Sequence, residues 1–303
     1  MLALPSAFAN LLPWLTAARP VGHGMIAIPL LLGQGLALSV AGHFSWQWFV
    51  FAQLFGVFIQ VHTLYLNDYA DEQLDRQNHN YWLSGGSRVI PDGKLTGTQL
   101  YRASFIPAIA ALGLACVAAL DGRPLLLLFV VLGLFASWSY SLPPVKSSYR
   151  GFGELHQGLS CGVGLPLCAF YLQTGSLAAF PWLFLLPVFL IFFASNIVTA
   201  LPDIDSDELG GKRTYPVRYG VIKAKRQAVL LSAFASALVL FFVLEATAAF
   251  ATALLIAGPP SLLFIGARFS GLTEDTTEHK RFMLTIMIGQ LWLLLLWVAQ
   301  LFL

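Results

Sequence analysis

The chain has 303 residues, of which 57% are hydrophobic and 11% charged, with a formal net charge of +2. Soluble domains carry roughly 25% charged residues, so this composition excludes one, and it offers no basic excess to draw a nucleic acid. A membrane crossing needs about 20 apolar residues. The sequence predicts nine crossings, near 21–41, 46–66, 98–120, 124–140, 155–174, 179–201, 227–247, 249–267 and 282–302. No linker or shift in composition divides them, so one all-α integral membrane bundle over 1–303 is expected.

Residues 5–18 precede the first span and read as an interfacial helix, with Trp14 near the headgroups. Arg19 and Pro20 open that span, the proline standing where a helix start tolerates it and the arginine reading as a snorkelling anchor. The second span ends abruptly in Asn-Asp-Tyr-Ala-Asp-Glu-Gln-Leu-Asp at 67–75. At about 100° per residue, Asn67, Asp68, Asp71 and Asp75 share one helix face. Carboxylates grouped like this repel one another at a membrane boundary unless a hard divalent cation neutralises them, so the cluster reads as a metal site. His62 points well away from Asp68 and reads as a satisfied core histidine.

A long polar loop follows, with Gly85, Gly86, Ser87 and Arg88 at its centre. Glycines let backbone N–H groups approach an anion and an arginine bridges phosphate oxygens, while the loop's length favours a lid or binding loop. The fourth span stops at Pro143 and Pro144, and Lys146 and Arg150 in the turn beyond are candidate phosphate contacts. The sixth span carries Asn196 and Thr199 toward Asp203 and Asp207, all four on one face, with Asp205 pointing away. Gly210-Gly211-Lys212-Arg213-Thr214 then resembles a phosphate grip but lacks the upstream glycine of a nucleotide-binding loop. Two acidic faces closing on one space suggest a clamp for diphosphate. The last loop, 274–281, mixes both signs and reads as a solvated connection. Cys116, Cys161 and Cys168 have no metal-site spacing and read as small core hydrophobes.

On the nine-span reading, sixteen of the 17 Lys and Arg lie on the side of the N-terminus, and only Arg123 lies across the membrane. The positive-inside rule makes that side cytoplasmic, in a multi-pass protein of the cell (inner) membrane. Of the 15 acids, only Asp121 and Glu245 lie opposite, so the charged face is expected to hold the chemistry.

These motifs, together with Tyr149-Arg150-Gly151-Phe152-Gly153-Glu154, resemble those of the UbiA superfamily of membrane prenyltransferases, over essentially the whole chain. The resemblance is nearest to the 1,4-dihydroxy-2-naphthoate type. It implies nine helices around a central cavity, with the acidic motifs binding Mg²⁺ and the diphosphate of an isoprenoid donor. Asp68, Asp71, Asp203 and Asp207 would be the catalytic set, joined by Asp75 as metal ligands. Asn67, Arg88, Lys146, Arg150, Asn196 and Lys212 would contact substrate. The implied partners are a prenyl diphosphate, an aromatic acceptor of the quinone pathways and the lipid bilayer, with no protein partner. Trp14, Tyr65, Tyr69, Tyr140 and Tyr149 would line the mouth, where Arg19 and Arg150 are expected to be available for an acidic acceptor. A terpene cyclase of the same superfamily is the alternative. A transporter is the remote one, opposed by acids that stand at helix ends and not in mid-span.

Overall fold

The computed structural model describes residues 6–77, 86–247, 249–273 and 275–303, and every regular element among them is helical. Helix α1 (Ser6–Ala18) exposes Leu11, Leu12 and Leu15, as an interfacial helix should. It ends at Arg19, whose φ of 45° is left-handed, and a 3₁₀ turn over Pro20–His23 leads into α2 (Gly24–Ala41). Ser45 caps α3 (Trp46–Ala70) by accepting from the Trp48 N–H. Asp71 then closes onto the Asn67 carbonyl and carries the chain into α4 (Glu72–Gln77). A reciprocal pair between Thr96 and Gln99 starts α5 (Gly97–Leu120), and α6 (Leu125–Ser141) follows.

The fifth crossing is broken. Its pieces are α7 (Gly153–Leu159), a π turn over Ser160–Gly164 and α8 (Leu165–Thr174). Pro166 has no N–H to give the regular ladder, and the Leu165 N–H reaches back five residues to Ser160. After α9 (Leu185–Thr199) the chain tightens into a 3₁₀ turn over Leu201–Asp203 before α10 (Ile204–Leu209) and α11 (Tyr215–Tyr219). Three long helices complete it: α12 (Val221–Thr247), α13 (Phe250–Ser270) and α14 (Thr276–Phe302).

Among the described residues, seven helical stretches are long and apolar enough to cross a membrane, not the nine expected. The difference has two causes: α6 has only 17 residues, and the π turn divides the segment from Gly153 to Thr174. Large apolar side chains such as Ile106, Ile109, Leu128, Phe135, Leu255 and Leu262 are exposed, as a lipid-facing surface requires. Of the cysteines, Cys161 and Cys168 are buried as expected, whereas Cys116 is exposed. Lipid is as apolar as a protein core, so the hydropathy of α5 does not tell its two faces apart.

The helices pack as a bundle: α3 on α5, α6 and α8, α2 on α8, α9 on α12, α12 on α13, and α14 on both α13 and α2. Small residues set the close approaches. Ala108, Ala111, Ala115 and Ala118 line the buried stripe of α5. A Cβ on Gly162 would meet the Cα of Phe189 at 2.5 Å, and one on Gly33 would strike the Pro166 carbonyl of α8. Gly33→Ala is therefore expected to lower stability by about 1–3 kcal/mol. Gly113→Ala, on the open side of α5 with nothing within 4 Å, is expected to raise it by about 0.5–1 kcal/mol. Thermal unfolding in detergent measures both.

Candidate active site

The two acidic elements meet at one end of the bundle, where a Cβ on Gly210, just past α10, would strike the Leu74 side chain of α4. Asp68, Asp71, Asp75 and Asp207 are 1%, 5%, 5% and 4% exposed, so four carboxylates are buried together. Asp203 is half-buried beside Asp207, and Asp205 is exposed, as the helical angles predict.

Lys212 stands between the two acidic elements. Its Nζ donates to Asp71 Oδ2 at 2.8 Å and lies 4.0 Å from Asp207 Oδ1. Asp71 also accepts from Asn67 Nδ2 at 3.0 Å and from the Tyr149 hydroxyl at 2.7 Å. Thr214 Oγ1 donates to Asp207 Oδ2 at 3.2 Å, and the Lys212 N–H donates to the Asp207 carbonyl at 2.8 Å. Asp68 is held by the Arg19 guanidinium and by the Ser87 hydroxyl. Gly86 has φ 78°, and any Cβ there would run into the Asp75 carboxylate. Gly85 lies outside the described residues.

A short zipper brings Lys212 and Tyr149 to this place. The Arg213 N–H donates to the Tyr149 carbonyl at 3.2 Å, the Tyr215 N–H to Glu154 Oε1 at 2.7 Å, and Arg218 Nη1 to the Gly151 carbonyl at 2.8 Å. Glu154 is 3% exposed, so this acid of the Tyr-Arg-Gly-Phe-Gly-Glu segment ties the two loops together from inside.

The other expected contacts divide. Lys146, left-handed at φ 44°, places Nζ 3.5 Å from the centre of the Tyr149 ring, and Lys212 lies 5.3 Å from the same ring. Arg88, left-handed at φ 66°, bonds Asp92 and the Asp75 carbonyl. Asn196 is within hydrogen-bonding reach of Tyr140. Arg150 is exposed, and among the described residues no ion pair joins it to the acids. Arg19 is not simply an anchor, because its Nη2 engages Asp68. Tyr149 is a half-buried donor to a carboxylate and not simply an aromatic at the mouth. His62 is a core histidine as expected, its Nδ1 2.9 Å from the Ser104 carbonyl.

The electrostatics follow from burial and an excess of negative charge. Burial, then the charges of Asp71 and Asp68, push the Asp75 carboxyl up to about 7 against the opposing pull of Arg19 and Lys212. Burial alone would lower Lys212, but Asp71 and Asp207 outweigh it and hold the ammonium above its ordinary value. Burial and the Asp71 charge raise the Tyr149 phenol, so it stays protonated and donates.

Four buried carboxylates against Lys212 and Arg19 leave room for more positive charge. The donor set is all hard oxygen, which suits Mg²⁺. Among the described residues no three acidic, His or Cys side chains form a closed metal nest.

A helical integral membrane protein with an acid-lined, lysine-bridged site at one end of its bundle is thereby defined. The sequence profile of the UbiA prenyltransferase family matches residues 26–298, and the chain belongs to that family. It is 28% identical over 202 residues to the 1,4-dihydroxy-2-naphthoate octaprenyltransferase of Bacillus subtilis (strain 168), covering 64% of this chain and 61% of that protein. It is 25% identical over 206 residues to the 4-hydroxybenzoate octaprenyltransferase of Alkalilimnicola ehrlichii, covering 67% and 64%. Each match therefore spans under two thirds of the relative's length. The fold matches that of a UbiA homologue from Archaeoglobus fulgidus bound to GPP and Mg²⁺, with a TM-score of 0.68 and 16% identity over 94% of this chain and 99% of that one.

Because Tyr149 donates to a buried carboxylate, Tyr149→Phe is expected to lower stability by about 1.5–3 kcal/mol, the range for hydrogen bonds to charged groups. Detergent-phase unfolding of the variant beside the parent protein checks this.

Proposed function

We propose that this protein is a Mg²⁺-dependent prenyltransferase that moves an isoprenyl chain from a prenyl diphosphate to an aromatic acceptor, in menaquinone or related quinone biosynthesis. The observation that carries the reading is the meeting of two buried acidic elements at Lys212. A diphosphate brings several negative charges, and only a site with its own cations, and carboxylates to hold further ones, accepts it. The family membership supports the reaction class. The names of the two relatives, one acting on a naphthoate and one on a hydroxybenzoate, support an aromatic acceptor.

When bound, Mg²⁺ would neutralise the diphosphate and ease its departure as leaving group. Asp68, Asp71 and Asp75 on one side and Asp203 and Asp207 on the other would hold it. Lys212, with Lys146 and Arg88, would meet the charge that develops on the bridging oxygen. Tyr149 keeps Asp71 oriented and presents its ring face to two lysines. A cavity of about 220 Å³ lies among α2, α9 and α14, lined by Met25, Ile28, Ile191, Phe192 and Met287, with Ser195 and Gln290. Its mainly apolar lining suits an isoprenyl chain.

Asp71→Asn and Asp207→Asn are each expected to leave the protein folded and to lower turnover at least about a hundredfold, and chelation of Mg²⁺ is expected to stop turnover reversibly. With 1,4-dihydroxy-2-naphthoate or 4-hydroxybenzoate present, geranyl diphosphate should release diphosphate quickly; without an acceptor it should not. Equal release without acceptor, with accumulation of a cyclic hydrocarbon, would identify a cyclase instead.

The reading also places the acidic end and the N-terminus in the cytoplasm, from the distribution of Lys and Arg. A cysteine introduced by Lys94→Cys should react with an impermeant maleimide only after cells are opened. Labelling of intact cells would reverse the orientation.

A further inference from the structure

The loop before α14 carries mixed charges, yet His279 in the first turn of that helix is only 2% exposed. Its ring lies against the break between α9 and α10, with Nδ1 3.2 Å from the carbonyl oxygen of the buried Leu201. A carbonyl only accepts, so Nδ1 carries the proton and Nε2 is left as an acceptor. That Nε2 is buried and has no hydrogen-bond partner among the described residues. An apolar side chain at this position, beside the cluster that contains Leu201, Phe282 and Met283, would avoid the desolvation of that nitrogen. The bond to Leu201 is what the histidine supplies and an apolar residue does not.

Leu201 opens the 3₁₀ turn that ends at Asp203, and Asp207 follows one turn into α10. Helix ends leave carbonyls to be met from outside, and Pro202 brings no N–H to the turn. The loop that delivers His279 is itself fastened. Lys225, fully buried on α12, donates to the Gly271 carbonyl at 2.9 Å and to the Thr273 carbonyl at 2.8 Å.

We infer that His279 is a positioning residue for the second acidic motif: through the Leu201 carbonyl it sets the direction in which Asp203 and Asp207 leave the α9–α10 break. Lys225 steadies the loop from which it reaches. The inference rests on the proposed role of those aspartates in holding a diphosphate and its metal.

The test compares His279→Leu, which removes the donor, with His279→Asn, whose Nδ2–H stands where Nδ1–H stood. Two readouts are taken on the full-length protein in detergent: hydrogen exchange of the amides of 203–209, which needs no substrate, and binding of geranyl diphosphate in Mg²⁺. His279→Leu should speed that exchange and weaken binding about tenfold, the size carried by one buried hydrogen bond, and His279→Asn should restore both. Unchanged exchange in His279→Leu overturns the inference whatever the binding shows. Equal losses in both variants also overturn it, because packing and not the hydrogen bond would then be the cause. Faster exchange, rescued by asparagine, in a protein whose parent does not bind geranyl diphosphate upholds the positioning and rejects the functional reading.

Discussion

Everything at the charged end of the bundle depends on one ammonium group lodged between carboxylates from two different helices. Asp71 and Asp207 belong to elements far apart in the chain, and at close range their charges repel in a medium that screens poorly. Lys212, 2.8 Å from one and 4.0 Å from the other, turns that repulsion into cohesion. A buried ion pair adds little against an apolar replacement of both partners, but loss of the lysine alone is severe because two carboxylates are stranded, whereas loss of one carboxylate leaves the lysine the other. The zipper between the 149–154 and 213–218 segments is the scaffold for this arrangement. Glu154 is buried there to hold the Tyr215 N–H, three residues beyond the lysine.

The opposite end of the bundle is fastened by other means. Arg123 lies 4.8 Å from the centre of the Trp48 ring and donates to the Leu172 carbonyl at 2.8 Å. Gln173 accepts from the Ser45 N–H and donates to the Ser45 carbonyl, so one side chain joins the end of α8 to the start of α3. These are bonds to backbone dipoles at helix ends, satisfied locally and asking for no further ion. One end is thus held mainly by bonds to backbone groups and the other by charge against charge.

The acidic motifs were legible in the sequence because a 3.6-residue period applies to acids as it does to leucines: Asp68, Asp71 and Asp75 are buried and Asp205 is exposed, as the angles require. Long-range pairings were not legible. Arg19 reads as an anchor because its partner, Asp68, is 49 residues away, and Tyr149 reads as an interfacial aromatic because Asp71 is 78 residues away. The π turn before Pro166 was not legible because hydropathy is an average over many residues and records no hydrogen-bond register. His279 was concealed by charged neighbours, since a loop's average polarity says nothing of a side chain that turns inward. Cys116 shows the converse, for a lipid-facing residue and a core residue have the same apolar preference.

The contact between α14 and α2 has a consequence for the order of assembly. The flank of the bundle between these helices, and the histidine that meets the second acidic turn, both come from a helix that follows all the clustered aspartates in the chain. A nascent chain still missing α14 already carries those aspartates and Lys212, but one flank of the bundle stands open and the α9–α10 break lacks its outside donor. Assembly of the acidic end is therefore tied to the synthesis of α14, and a chain without that helix would hold the charged groups without their enclosure.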